Sequence, residues 1–395
     1  MNGRPVYLCD GLRTPFGRFR GGLSTIRIDD LAALPIRRLV ERHLDLDPHA
    51  IDEVIFGCAN QAGEDNRNVA RMAVLLAGLP VSVPACTVNR LCASGLEAIG
   101  QAARAIALGE AELIIAGGVE SMSRAPYVMA KAATALDREQ KLEDTTLGWR
   151  MVNPAMAMSH GVDSMAQTAE NLAREFNISR EDQDAFALRS QQRAGRAIAN
   201  GRFALEITPA ANLVQDEQVR ADNALERLAT LAPILGAGTS ITAGNASGLN
   251  DGACALLLAS AQAVEHWQLT PHARVLGMAS AGVAPRTMGI GPVPAIQRLL
   301  TRLNHSLKQF DRIEINEAFA AQVLAVTRRL GLADAAEHVN PNGGAIALGH
   351  PLGASGARLV VTAMHEIASG AAKNAMVALC VGVGQGLALA LERPR

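Results

Sequence analysis

Three observations predict an α/β fold with a duplicated, layered core. Short β-rich runs alternate with helical stretches from residue 6 onward, the pattern of parallel βαβ units. The last third of the chain repeats the plan of the first, which implies two halves related by an internal duplication. Hydrophobic residues make up 49% of the 395, but aromatics only 3%, and glycines number 36. A core so poor in rings is built from Ala, Val, Leu and Ile packed close to backbone, as layered α/β folds allow.

Taken in order, VYLCD reads as a strand, 28–43 as a helix, DEVIFGC as a strand and 68–77 as a helix. ASGLEAIGQAARAIALGE has small and apolar residues at three- to four-residue spacing and runs into AELIIAGGVESMS, so a buried helix feeds a buried strand. Residues 123–249 are richer in charge, Gln and Met and read as an inserted loop domain. That segment contains one well-signalled helix, SREDQDAFALRSQQRAGRAIANG, with Ser179 as N-cap and Gly201 as stop. In the last third FDRIEINEAFA is a strand, GASGARLVVTAMHEIASG a helix and NAMVALCVGVGQG a strand. The uncharged run 374–391 is broken by glycines, Asn and Gln and reads as a buried hairpin, not a membrane span. The expected division is 1–122 with 250–273, the insert 123–249, and 274–395.

Lys+Arg 37 against Asp+Glu 38 leaves a net charge of -1, which excludes the basic footprint of a nucleic-acid binder. Six cysteines fall at irregular spacings with no CxxC or Cys/His pairing, so neither a zinc site nor a disulfide framework is indicated. Reduced thiols and an N-terminus without the apolar core of a signal peptide lead us to expect a cytoplasmic protein.

Four polar side chains stand out. Cys92, in TVNRLCASGLEAI, lies between an extended run and a helix, where the dipole and free N–H groups would lower a thiol pKa and hold an oxyanion. A lone cysteine is more often a small buried residue. Asn316, with Glu317, ends the strand IEINEAFA, either projecting into a crevice at a sheet edge or capping a helix. His350 lies in the glycine-rich stretch VNPNGGAIALGHPLGASG, whose backbone can approach a ligand closely. His43, His49, His266, His272, His305 and His338 sit beside charged residues, prolines or Asn and are expected in solvent. Cys380, in ALCVGVGQG, ends the strand that corresponds to GGVESMS in the first half and, taken alone, reads as a core cysteine. GVGQG lacks GxGxxG spacing, which argues against nucleotide binding.

Together NRLCASG, GGVESMS, AGNASGLNDGA, NEAFA, GGAIALGHPLGASG and CVGVGQG resemble the thiolase family, in that order and over essentially the whole chain. The resemblance implies the thiolase fold, a five-layered α-β-α-β-α core with an inserted loop domain, assembled as a homotetramer. It implies Cys92 as the acyl-carrying nucleophile, His350 as the base that activates it, and Cys380 as the acid/base at the α-carbon of acetyl-CoA, with a pKa near neutral. Asn316 would hold a water that binds the enolate oxygen with His350, and the N–H groups of Cys92 and Gly382 would form a second oxyanion hole. Coenzyme A enters as co-substrate, with no tightly bound cofactor and no metal. Its contacts would be Ser247, Arg220, Met165 and Met288.

Within the family, GCANQAGEDNRNVARMAVLLAGLP, ESMSRAPYVMAKA and LEDTTLGWRMVNP look like the branch that cleaves 3-oxoadipyl-CoA with CoA to succinyl-CoA and acetyl-CoA. In the acetoacetyl-CoA branch a His is expected where Ser164 stands. A substrate ending in a carboxylate calls for a cation, and Arg67, Arg71, Arg124 and Arg150 lie in these segments, although any one arginine is more often a surface or interface residue. The segment 203–220 is shorter and less basic than is usual in the family. The alternatives are an acetyl-CoA acetyltransferase, a general 3-ketoacyl-CoA thiolase, and a non-catalytic CoA or lipid carrier. The last would be expected to have lost a cysteine or the histidine, and all three are present.

Overall fold

The computed structural model describes residues 3–394. The first half runs β1 (Val6–Arg13), α1 (Ile28–Glu41), β2 (Glu53–Gly57), α2 (Val69–Ala77), β3 (Ala85–Val88), α3 (Ser94–Leu108) and β4 (Leu113–Ser121). The inserted segment carries α4 (Met165–Glu175) and α5 (Arg180–Ala199), and a two-stranded ribbon of Tyr127–Met129 and Leu142–Asp144. The chain returns through β5 (Asn250–Ser260), β6 (Ala273–Gly282), α6 (Pro292–Leu303), β7 (Arg312–Ile315), α7 (Ala320–Arg329), α8 (Leu352–Ala368), β8 (Asn374–Val381) and β9 (Gln385–Glu392). The expected junction at 273/274 falls on the first residue of β6.

The strands lie in the order β7-β8-β9-β6-β1-β5-β4-β2-β3, with Gly17–Arg18 on β5 as a tenth strand. β2 is parallel to β3 and β4, and β7 to β8, while β5 and β9 return antiparallel. β4, β5 and β1 therefore repeat as β8, β9 and β6. Side chains mark the repeat as well. Asp52 accepts the N–H groups of Glu112 and Leu113, and Asp311, one residue before β7, accepts those of Lys373 and Asn374. Sequence patterning does not reveal that the two half-sheets join edge to edge. β1 pairs with β6 at Tyr7↔Arg274 and Leu8↔Ala273, giving one continuous sheet.

Alternation along the strands builds the layers. Ile114 and Leu256 face a central layer of α3 and α8, with Leu96, Ile99, Leu359 and Met364. Ile115 and Leu257 face an outer layer of α1 and α2, with Leu31, Ile36, Val69 and Val74. On the second half-sheet Val377 and Leu389 face the centre, whereas Met376 and Ala388 face α6 and α7 through Ile296, Leu299 and Val323. The insert is tied to the core by the fully buried Arg13, whose guanidinium donates to Glu206 at 2.7 Å and to both oxygens of Asp216 at 2.6 and 2.8 Å. No helix among the described residues is long and apolar enough to cross a membrane.

In the central layer the starts of α3 and α8 touch backbone to backbone. A Cβ on Gly95 would stand 2.5 Å from the carbonyl oxygen of Gly353, and one on Gly353 would stand 2.2 Å from that of Val119. Neither neighbour is a flexible side chain that could give way. Gly353→Ala should therefore destabilise the fold by about 3 kcal/mol, to be read as a lower denaturant midpoint. A midpoint within error of wild type would refute this reading of the contact.

Candidate active site

The helix starts are twins in sequence as well as in place: CASG at 92–95 opens α3 and GASG at 353–356 opens α8. Cys92 sits in a single 3₁₀ turn, Leu91–Ala93, just ahead of α3. Ser94 fixes that turn by accepting the N–H of Arg90 at 2.9 Å and donating to the carbonyl of Leu91 at 2.6 Å. Leu91 is held at φ +46 with its N–H on Asn89 Oδ1, and Val383, the residue after Gly382, is held at φ +63. Non-glycine residues in this region are uncommon and cluster at functional sites.

Ser355, the twin of Ser94, does the same work for the histidine. Its hydroxyl donates to the carbonyl of Pro351 at 2.8 Å and lies 2.6 Å from His350 Nδ1. A hydroxyl has one proton, so Ser355 accepts from Nδ1–H, and the lone pair of the neutral ring is left on Nε2. That nitrogen lies 3.3 Å from Asn316 Nδ2. The backbone of His350 is fixed by its N–H on Asn250 Oδ1 at 2.8 Å. Burial, with the charge of Arg358 behind it, pushes the imidazole down to about 3, so the resting ring is a neutral base.

Cys92 keeps part of its surface open to a cavity of about 430 Å³, whose walls also include His350, Gly382, Met165, Met288 and Ser247. The N–H of Gly382 is directed at the Cys92 thiol. Cys380, at the end of β8, is buried and packs with Met165, Met288, Ala318 and Phe319 beside that wall. The expectation that the helix start lowers the Cys92 pKa is overturned. The enclosing walls push the thiol up to about 11, and the N–H groups of Gly382 and Cys92 only partly offset this. Nor is Cys380 near neutral: burial and the neighbouring Cys92 raise it well above the ordinary thiol value. Both are neutral thiols at rest.

Asn316 is fully buried, with its N–H on the carbonyl of Ala378 and its Oδ1 without a hydrogen-bond partner among the described residues. Glu317 is neither a helix cap nor part of the cavity wall. Its carboxylate accepts from Ser190, Asn340 and the N–H of Ile346, so it pins the glycine loop that leads to His350. Ser247 reaches the wall through its N–H on the carbonyl of Ala318. Arg220 is exposed on the inserted segment and outside the wall, its N–H donating to Gln191.

Of the four arginines only Arg150 lines the cavity. Arg124 is paired with Glu64 at 2.6 and 2.5 Å, Arg71 donates to the carbonyls of Val83 and Val81, and Arg67 is exposed. Four of the six histidines expected in solvent are half-buried: His43, 3.1 Å from Asp10, His272, whose pKa burial lowers, His305, 2.7 Å from the carbonyl of Leu303, and His338. His43 and His272 are covered by packing against β1, which their sequence neighbours do not reveal. Sequence patterning also passes over Glu120 and Ser355. The signals for them were a carboxylate ending the apolar strand GGVESMS and a serine repeated between CASG and GASG.

Comparison with known proteins gives the same assignment over the full length. "Thiolase, N-terminal domain" matches residues 6–262 and "Thiolase, C-terminal domain" residues 269–393. The chain is 64% identical to a Pseudomonas aeruginosa protein named beta-ketoadipyl-CoA thiolase, over 99% of both chains. It is 58% identical to an Escherichia coli 3-oxoadipyl-CoA/3-oxo-5,6-dehydrosuberyl-CoA thiolase, over 99% of this chain and 100% of the other. A crystal structure of human mitochondrial 3-ketoacyl-CoA thiolase in complex with CoA superposes with a TM-score of 0.92 at 40% identity, covering 99% of this chain and 98% of that one. With both domain matches, these relatives and a paired-helix site built from CASG and GASG, the chain belongs to the thiolase family.

Proposed function

We propose that the chain cleaves 3-oxoadipyl-CoA with CoA, giving succinyl-CoA and acetyl-CoA through an acyl-cysteine at Cys92. The observation that carries this reading is the convergence of Cys92, neutral His350 and the Gly382 N–H on one cavity, with Cys380 packed directly behind its Met165 and Met288 wall. The Cys92 sulfur attacks the ketone carbon while its proton passes to His350 Nε2. The oxyanion formed is held by the N–H groups of Cys92 and Gly382. As the bond between the α-carbon and the former ketone carbon breaks, the electron pair leaves as the enolate of acetyl-CoA. That enolate takes the Cys380 proton, and Cys380 recovers one from His350. The thiol of CoA then attacks the acyl-Cys92 carbonyl, its proton again going to His350, and Cys92 leaves as thiolate and is reprotonated. An imidazolium in so dry a site is costly, so His350 passes its proton on within each step. The partnerless Asn316 Oδ1 suits a water held for the enolate oxygen.

Ser247, Met165, Met288 and Arg220 are proposed to contact CoA, Arg220 from the rim. The division into 1–122 with 250–273, 123–249 and 274–395 is proposed on the duplicated topology. A cytoplasmic homotetramer is proposed as well: the six cysteines are free, and Tyr127, Met129, Leu136 and Leu142 are exposed apolar side chains on or beside the ribbon.

Arg150, on the cavity wall, is the candidate proposed to meet the distal carboxylate. Arg150→Gln should lower kcat/KM for 3-oxoadipyl-CoA about ten- to a hundredfold, the loss of one charge-assisted contact. Acetoacetyl-CoA, which has no such carboxylate, should be nearly unaffected. Thiolytic cleavage assayed over a panel of 3-oxoacyl-CoAs tests both points, and a parallel loss on the two substrates would place the carboxylate elsewhere. A wild-type preference for acetoacetyl-CoA would instead favour an acetyl-CoA acetyltransferase.

A further inference from the structure

Glu120, the next-to-last residue of β4, is buried and contributes to the wall of the cavity shared by Cys92 and His350. Three backbone N–H groups converge on it: Ala59 and Asn60 at 3.0 Å, from the loop after β2, and Gly353 at 2.8 Å. By the CASG/GASG correspondence Gly353 is the twin of Cys92, so the N–H that Glu120 covers in the second half is the counterpart of the one that faces substrate in the first. One helix start is left open for an oxyanion, and the other is already occupied by a carboxylate of the protein. A single strand end thus holds the loop ahead of Cys92's wall and the helix start three residues after His350.

We propose that Glu120 is a positioning residue for the Cys92–His350 pair, holding the start of α8, and with it His350, in line with the nucleophile through Gly353. Its negative charge, facing Cys92 across the same cavity, adds to the burial that already disfavours a thiolate there. The ionisable groups facing Glu120 are Asp65 and Cys58 from the loop after β2 and, across the cavity, Cys92 and His350; those facing Cys92 are Glu120, His350 and Cys380. Burial pushes Glu120 up to about 7 against the pull of its three N–H donors, so at pH 8 it is mostly ionised.

The proposal rests on the reading of Cys92 as nucleophile and is tested with Glu120→Gln and Glu120→Asp. An amide in place of the carboxylate turns one acceptor into a donor facing an N–H, which displaces a wall of the site and removes the charge. Glu120→Gln should lower kcat about ten- to a hundredfold with KM for CoA within a few-fold. It should also move the pH profile of Cys92 alkylation by iodoacetamide to lower pH. Glu120→Asp, which keeps the charge but withdraws it by one methylene, should lower kcat without that acid shift, and it serves alone if the amide variant does not fold. Wild-type kcat in Glu120→Asp, or a Glu120→Gln that changes only the melting temperature, would overturn the proposal. A wild-type enzyme that stays active after complete alkylation of Cys92 would overturn the reading beneath it.

Discussion

Cys92→Ser is expected to lower kcat for 3-oxoacyl-CoA cleavage by roughly 10⁴-fold or more, the scale seen when a covalent nucleophile is removed. A hydroxyl is far harder to deprotonate than a thiol, and the buried His350, already driven down to about 3, has little power to take a proton from it. Wild-type protein incubated with 3-oxoadipyl-CoA and no free CoA should carry a succinyl adduct on the Cys92 peptide by mass spectrometry. The variant should carry none while keeping its melting temperature. An adduct found on Cys380 alone would exchange the roles of the two thiols.

For Cys380→Ser the expected pattern is split. Acylation of Cys92 by an acyl-CoA should remain detectable, because the Gly382 N–H and His350 are untouched. The carbon–carbon step should slow by about 10³-fold, the contribution of a well-placed acid/base. The discriminating measurement is exchange of the α-protons of acetyl-CoA into deuterated water, which should fall with turnover. Exchange at the wild-type rate would assign the α-carbon proton to another group. That Cys380 is a neutral thiol at rest suits the donor half of its cycle, since a proton held tightly in apolar surroundings is still passed to an enolate, a much stronger base.

Much of this was legible in the sequence, and the gaps share a cause. Element order could be read because each half alternates strand and helix periods. Cys92 and Cys380, which taken singly read as core cysteines, could be picked out with His350 and Asn316 because the motifs around all four together resemble the thiolase family. What pattern does not carry is enclosure. The helix start just after Cys92 is visible in the residues, but the walls that outweigh it come from segments distant in sequence, such as those bearing Glu120 and Met165. Likewise Arg124 and Arg150 look alike in sequence, and only folding gives Glu64 to the first and the cavity to the second. Glu120 itself looks like the polar end of a strand until α8 brings Gly353 against it.

The crossing of α3 and α8 bears on how the molecule is made. As the chain is synthesised, the first half can close its sheet around β2, β3 and β4 and can present Cys92 on its turn. That thiol then has no base, no facing N–H from Gly382 and no second thiol, because all three arrive with α8 and β8. β1, which pairs with both β5 and β6, must likewise wait for strands far downstream. A nascent or truncated chain therefore exposes an ordinary, unactivated cysteine. The site is complete only when the second helix start lies against Gly95 of the first.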